Sequence, residues 1–276
     1  AYCGVVGLKP TSGLIGRGGL ALLAPSLDTI GVLTRRANLL WPAVTTLAGS
    51  DTDDPRSASV PLEWDQRDTV SDLSTLRFGI PKQLELVNCE PAIYAGFSTA
   101  RRAISELGAT IVDVDMPVWD PAAARHAGLL VIEAEGAVEL GELLNIESAL
   151  STSLQQMLRY GAALSADRLD AAYATIRDVG GAVARAWQDV DALLMPTTPQ
   201  RAFAHGISPP NNQAELTALA NFSGCPAVTL PVWDPQSDLP ASVQLIAPKW
   251  SESRLTSWAE ILESAVRVTH LPTPAR

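Results

Sequence analysis

The sequence predicts an α/β protein, on three observations. Short apolar runs that stop at proline, LRFGI (76–80) and DALLM (191–195), alternate with longer stretches whose apolar residues return at helical spacing. Apolar residues make up 47% of the 276 positions and charged residues 18%, which suits a buried sheet under helical cover. Between residues 76 and 115 the order strand, helix, strand is that of a βαβ unit.

The chain opens with AYCGVVGLKPTSG, whose glycines, taken alone, read as tight turns. Residues 49–74 are dense in Asp, Ser and Pro, which compete with regular structure by local hydrogen bonding and a fixed φ, so a loop is expected there. After the strand at 76–80, Pro91 in the first turn, a shared face of Ile93, Phe97, Ile104 and Leu107, and Gly108 as a stop predict a helix over 91–107. TIVDVD (110–115) is the next strand. Residues 121–190 read as mostly helical, most clearly 169–187, where Ile176, Val183 and Trp187 recur on one side. Gly180 and Gly181 mark either a close helix approach or a break. DALLM, PAVTLPV (226–232) and VQLIA (243–247) are strands, AELTALANF (214–222) is a short helix ending near Gly224, and 251–266 is a last amphipathic helix.

Several chemistries are excluded by inspection. The net charge of −10 and the absence of any basic cluster argue against nucleic-acid binding. Cys3, Cys89 and Cys225 are too far apart for a C-x-x-C pair, so neither a disulfide framework nor a zinc site is expected, and a reducing, cytoplasmic setting follows. No uncharged apolar run reaches the length of about 18 residues that a membrane span requires, and no signal peptide is recognisable. GVVGLKPT lacks the spacing of a phosphate loop and puts Pro10 where such a loop needs an N–H. GLIGRG (13–18) has the wrong glycine spacing for a dinucleotide site. His126, His205 and His270 stand isolated, Glu133 and Glu135 do not face each other on a helix, and neither G-x-S-x-G nor S-x-x-K occurs. Composition and spacing alone therefore give a soluble α/β domain without a catalytic constellation.

CGVVGLKPTSG followed by PSLDTIGVLTR (25–35) resembles the amidase signature family. Its members carry G-G-S-x-R-x-P-A-x-x-C-G-x-x-G-x-K-P-T, and Cys3, Gly4, Gly7, Lys9, Pro10 and Thr11 match the second half in register. LAGSDTDDPRS, LRFGIPK, ELGATIVDVDMP, VDALLMPTTP, ANFSGCPAVTLPV and LPASVQLIAP follow in the family's order, so the resemblance runs from Ala1 to about Val266. It implies an α/β/α layered fold with a large mixed sheet, of which residues 1–276 would be the C-terminal portion of a single domain. It also implies hydrolysis of an amide through a serine acyl-enzyme, with no metal and no cofactor. A lysine shielded from water acts there as base through a bridging serine. The nucleophilic serine belongs to G-G-S, before Ala1, and the bridging serine and base lysine lie further upstream. No catalytic residue is therefore carried over onto this chain, and Lys9 matches a lysine that is structural in the family.

What the resemblance does carry over is a pocket. Ser26 and Asp28 lie in SLDT, where Asp28 orients an upstream arginine or a backbone group, or simply caps a turn. Thr197 and Thr198 follow a strand's C-terminal end, where α/β sheets bind ligands. Thr217, Asn221 and Ser223 lie on the helix and loop that border the acyl side of the channel, Cys225 reads as a small buried hydrophobe, and the helix around Glu133 lines the mouth or simply faces solvent. None of these stretches contains arginine, which favours a small or apolar amide. Two rival readings stand beside the amidase. One is the glutaminase subunit of a transfer-RNA-dependent amidotransferase, or an allophanate hydrolase, both of which need a carboxylate-reading pocket. The other is a catalytically inert fragment that serves as a binding or assembly partner. The expected partners are a small-molecule amide and the missing N-terminal segment of the same domain, with a homodimer compatible and neither nucleic acid nor membrane involved.

Overall fold

The computed structural model describes residues 1–61, 64–68, 70, 72–146, 148–234 and 237–266. His270 lies outside them, as do four positions of the expected 49–74 loop, whose described residues carry no helix or strand. Among the described residues, seven strands form one mixed sheet: β1 (Val6–Lys9), β2 (Val32–Thr34), β3 (Arg77–Pro81), β4 (Thr110–Val114), β5 (Ala192–Pro196), β6 (Ala227–Val232) and β7 (Ala241–Ile246), in the order β2-β1-β6-β7-β5-β3-β4. The β3–β4 and β3–β5 pairs are parallel and the others antiparallel, so the βαβ unit read from the sequence sits at one end of the sheet. β5 and β7 are buried at every residue, which is what strands covered on both faces require.

The helices are α1 (Leu40–Leu47), α2 (Pro91–Glu106), α3 (Pro121–Glu139), α4 (Thr152–Ala162), α5 (Ala166–Ala186), α6 (Ala218–Ser223) and α7 (Glu252–Val266). Their ends obey local chemistry. Pro91 opens α2 at a position that needs no N–H donor, and Gly108, at φ +87°, closes it. There the N–H groups of Gly108 and Ala109 donate to Ser105 and Ile104, pairing carbonyls that the helix end would orphan. Asp120 caps α3 by accepting from Ala123 N at 2.9 Å, and Ser151 caps α4 by accepting from Leu154 N.

The two faces of the sheet are covered separately. α2 and α7 pack on one face, with Gly96 of α2 against Ala241 and Trp258 of α7 edge-on to Phe78. On the other face Val190, just beyond α5, lies against Gly79, and Gln244 reaches the carbonyl of Leu216 just before α6. The layers are thus α/β/α, as the resemblance implies. Helix α5 runs unbroken through Gly180 and Gly181, and a Cβ on Gly180 would lie 2.9 Å from the Phe222 carbonyl oxygen, so Gly180 serves a close approach to α6.

Three elements had no sequence expectation: β1, β2 and α1. β1 is the surprise, because the stretch read as glycine turns contains a strand paired on both sides. Gly4 and Gly13, at φ +62° and +85°, are turn glycines, while Gly7 is a strand residue. The short helix expected over 214–222 is regular only from Ala218.

Candidate active site

A cavity of about 1120 Å³ opens on the α5–α6 side of the sheet. Its floor follows from strand parity. Leu33, Gly7, Thr229, Gln244 and Met195 are consecutive cross-strand partners, so their side chains share one face, and the first four line the cavity. Gly7 is where the floor is closest: a Cβ there would sit 3.0 Å from both Leu33 and Thr229. Two residues beyond Met195, Thr197 points the same way, and its Oγ1 shares a 2.7 Å hydrogen bond with Thr229 Oγ1. Gln244 is buried, and its Nε2 donates to the carbonyls of Pro196 and Leu216, which sets the amide's orientation.

The walls come from three segments. α3 presents Arg125, Gly128, Leu129 and Ile132, a stripe at helical spacing, and α6 with its lead-in presents Thr217, Ala218, Asn221 and Phe222. The third wall is the SLDT loop with Leu23, Leu27 and Asp28, tied from every side. Asp28 Oδ2 accepts from Leu23 N and Ala24 N at 2.8 and 2.9 Å. Ser26 N donates to Glu135 Oε2, and Asn221 Nδ2 donates to Leu27 O. Glu135 also accepts from Tyr173 OH, and burial together with that bond pushes the Tyr173 phenol up to about 12. Behind the loop, Arg17 donates to the carbonyls of Pro25 and Asp28 while two of its nitrogens grip Asp54. A loop with this many anchors holds one shape.

The residues singled out in the sequence divide by position. Thr197, Thr217 and Asn221 line the cavity, as do Gly7, Lys9 and Asp28. Asp28 engages backbone groups, one of the roles considered for it. Thr198 and Ser223 are not among the lining residues: Thr198 Oγ1 donates to Gln200 O, and Ser223 Oγ donates back to Leu219 O within α6. The Ser26 hydroxyl is buried without a partner among the described residues. Cys225 is buried, and Cys3 is exposed. Glu133 is not a lining residue, although its helix is; its carbonyl packs against Gly161 of α4. Arg125, Gln244 and Thr229 belong to the cavity without having been singled out, so the site does contain an arginine, which the quoted stretches lacked. Thr229 and Gln244 sit on strands that were read correctly, and their facing was set by register.

The K-P-T turn is built into the frame. Thr11 N donates to Glu252 Oε1 at 2.6 Å, Thr11 Oγ1 accepts from Trp250 N, and Ser12 N donates to Gly224 O. Lys9 Nζ donates to Pro10 O at 2.8 Å, and burial brings its ammonium down to about 8, partly offset by Cys225 and Glu252. Below about pH 8 the lysine is charged in both folded and unfolded chains, and burying that charge opposes folding. Between about pH 8 and 10 the unfolded chain holds more protons, so folding stability gains as pH rises. Lys9→Met removes this effect. The stability of the wild type relative to the variant is expected to rise by on the order of 2 kcal/mol across that window, read by urea unfolding at successive pH values.

The family model for amidases matches residues 1–256. The chain belongs to the amidase family. Among curated proteins it is similar to the glutamyl-tRNA(Gln) amidotransferase subunit of Synechococcus sp., at 31% identity over 97% of this chain and 61% of the relative. The same subunit of Cereibacter sphaeroides is 28% identical, with 99% of this chain and 62% of the relative covered. This amidase-family chain thus spans about three fifths of the length of those relatives. Among solved structures it superposes with a TM-score of 0.85, at 27% identity, on a chain of an inhibitor-bound vestigial protein complex linked to the evolutionary origins of an s-triazine catabolic enzyme. That match covers 97% of this chain and 61% of the other. A bacterial aryl acylamidase of the amidase signature family shares the fold, with a TM-score of 0.81 over 96% of this chain and 59% of that one, at 21% identity. No described helix is long and apolar enough to cross a membrane.

Proposed function

We propose that this chain forms the C-terminal portion, and the substrate-channel side, of an amidase that hydrolyses a carbon–nitrogen bond through a serine acyl-enzyme. The observation that carries the reading is convergence. The matched half of the signature (Gly7 and Lys9), the SLDT loop, Thr197 and the α6 segment lie far apart in sequence yet line one cavity. Thr197, Thr229 and Thr217 offer hydroxyls along it, Asn221 holds the SLDT wall, and Thr198 and Ser223 shape the turns from behind. The nucleophilic serine, the bridging serine and the base lysine belong to a preceding segment that docks against this face, in a cytoplasmic protein.

Fluorophosphonate labelling read by intact mass tests the placement. The 276-residue chain is expected to take no adduct. A polypeptide that also carries the upstream half of the signature is expected to take one adduct at the serine of G-G-S and to hydrolyse amides. A stoichiometric adduct on this chain alone would overturn the placement. The names of the curated relatives favour a second reading, a glutaminase subunit. It requires glutamine to be the preferred substrate of that longer polypeptide and a partner protein to raise its rate.

A further inference from the structure

We infer that residues 203–211 form a lid on the cavity, held by two feet on the turn before α2 and free to lift between them. The inference deepens the amidase reading and rests on it for what passes beneath the lid, a small amide. The lid itself is argued from how this segment is held.

From 197 to 217, between β5 and α6, the chain carries no helix or strand. The middle of that stretch lines the cavity without being tied to it. Pro209, Pro210 and Asn211 are lining residues. Yet residues 204–211 make no hydrogen bond and no ion pair with any described residue, and 204–209 are exposed, Ile207 by 54%. The other walls differ. α3 and α6 are regular helices, and the SLDT loop is anchored through Asp28, Glu135, Asn221 and Arg17. A wall segment with so few contacts lies at the low-stability end of a structure, from which the elements that admit ligands are drawn.

Both feet stand on residues 88–90. At the first, Glu90 N donates to Pro199 O at 2.8 Å and Arg201 Nε donates to the Glu90 carboxylate at 3.3 Å, with Phe203 edge-on to Tyr2. At the second, Asn212 Nδ2 donates to Asn88 O at 3.1 Å. The chain behind Asn212 is fixed, because Glu215 N donates to Asn212 O and the carbonyl of the fully buried Leu216 accepts from Gln244. A loop whose ends return to one place moves as a flap, since turning it about that place leaves both feet made.

The residues between the feet suit this motion. Gly206 stands at φ +86°, which glycine adopts without strain, and nothing lies within 4 Å of where its Cβ would be, so the bend there meets no neighbour. Pro209 and Pro210 have a fixed φ and no N–H, so they travel as a stiff bar and leave no donor unpaired when they move. Lifting therefore breaks no hydrogen bond of 204–211. Lowering excludes water from a cavity whose floor carries Thr197 and Thr229, and polar contacts strengthen where water is excluded.

Access to the floor tests the lid. Thr229→Cys is alkylated with iodoacetamide in the full chain carrying Cys3→Ser, since Cys3 is exposed while Cys89 and Cys225 are buried. The thiolate sulfur bonds to the acetamide methylene, iodide leaves, and intact mass counts the adducts. Replacing 204–210 by three glycines is expected to speed alkylation about tenfold, the factor for a lid shut about nine-tenths of the time, and to leave the melt unchanged. Asn212→Ala frees one foot and removes no lining residue. It is expected to speed alkylation severalfold, and it answers the question even if the shortened loop folds poorly. Hydrogen exchange at Gly206, Ile207 and Ser208 is expected at the rate of an unfolded peptide, with Leu194 in β5 slow. Equal alkylation rates in wild-type loop and both variants, or protected amides at 206–208, overturn the inference. Faster alkylation with the shortened loop, in a longer polypeptide that hydrolyses no amide, leaves the lid standing and removes the amidase reading. Amide hydrolysis by a longer polypeptide whose shortened loop leaves the alkylation rate unchanged does the reverse.

Discussion

Gly161→Ala is expected to cost about 3 kcal/mol or more, at the upper end of what single substitutions do, and to abolish the cooperative melt if the chain's margin is ordinary. Gly161 lies in the last turn of α4 where it crosses α3. A Cβ there would overlap the carbonyl oxygen of Glu133 and stand 2.8 Å from the backbone N of Ala134. Both obstacles are backbone, so no rotamer change relieves the clash, and the helices must part. Parting them disturbs the helix that carries Arg125, Leu129 and Ile132, so the loss extends to the cavity wall. Gly181→Ala is the control. It sits mid-helix in α5, its Cβ would meet only Arg185 Nη1 at 3.5 Å, and it is expected to stabilise by about 0.5–1 kcal/mol through helix propensity and a less flexible unfolded chain. Thermal unfolding of the two variants side by side checks both signs. A melt of Gly161→Ala equal to the wild type would mean that the two helices are not in backbone contact.

Asp54→Asn is expected to destabilise by about 3–5 kcal/mol, the cost of leaving a buried guanidinium without its counter-charge. Arg17 and Asp54 are both almost wholly buried, and they meet in a two-pronged pair, Nε to Oδ2 at 2.9 Å and Nη2 to Oδ1 at 2.8 Å. The hydrogen bond from Arg17 holds the Asp54 carboxyl far below the usual carboxylate range. A depressed folded pKa means stability that is fully present above the unfolded value near 4 and is lost progressively as pH falls below it. The difference in stability between wild type and Asp54→Asn is therefore expected to be largest near neutral pH and to shrink below about pH 4. Denaturant titrations at a series of pH values show this directly. A difference independent of pH would mean that the carboxylate charge contributes nothing. Because Arg17 also donates to Pro25 and Asp28, faster hydrogen exchange at Leu23 and Ala24, whose N–H groups bond to Asp28, is the expected companion result.

The elements legible in the sequence were those whose signals are local. Pro91, Pro121 and Gly108 mark helix ends because they act through their own φ and their own N–H, and the apolar faces of α2 and α5 show because side chains three and four apart share a side. The family was legible for a related reason: C-G-x-x-G-x-K-P-T needs its residues in one short register, and the turn it makes is pinned through Thr11 to Glu252 and Trp250.

The cavity was legible only in part, since what lines it is decided across the sheet and not along the chain. VGLK carries no strand signal of its own, and Val6–Lys9 is a strand because β2 and β6 pair with it on either side. Thr197 and Thr198 are chemically alike and adjacent, yet strand parity turns the first toward Thr229 and leaves the second bonded to Gln200. Arg125 and Asn221 lie far apart in the chain, and only the packing of α3 against α6 places both on one wall. Composition, element type and family are therefore set by the sequence alone, because they depend on neighbours within a turn or two. Which side chains meet a ligand is set by the tertiary structure, because register and helix packing choose the direction in which each one points.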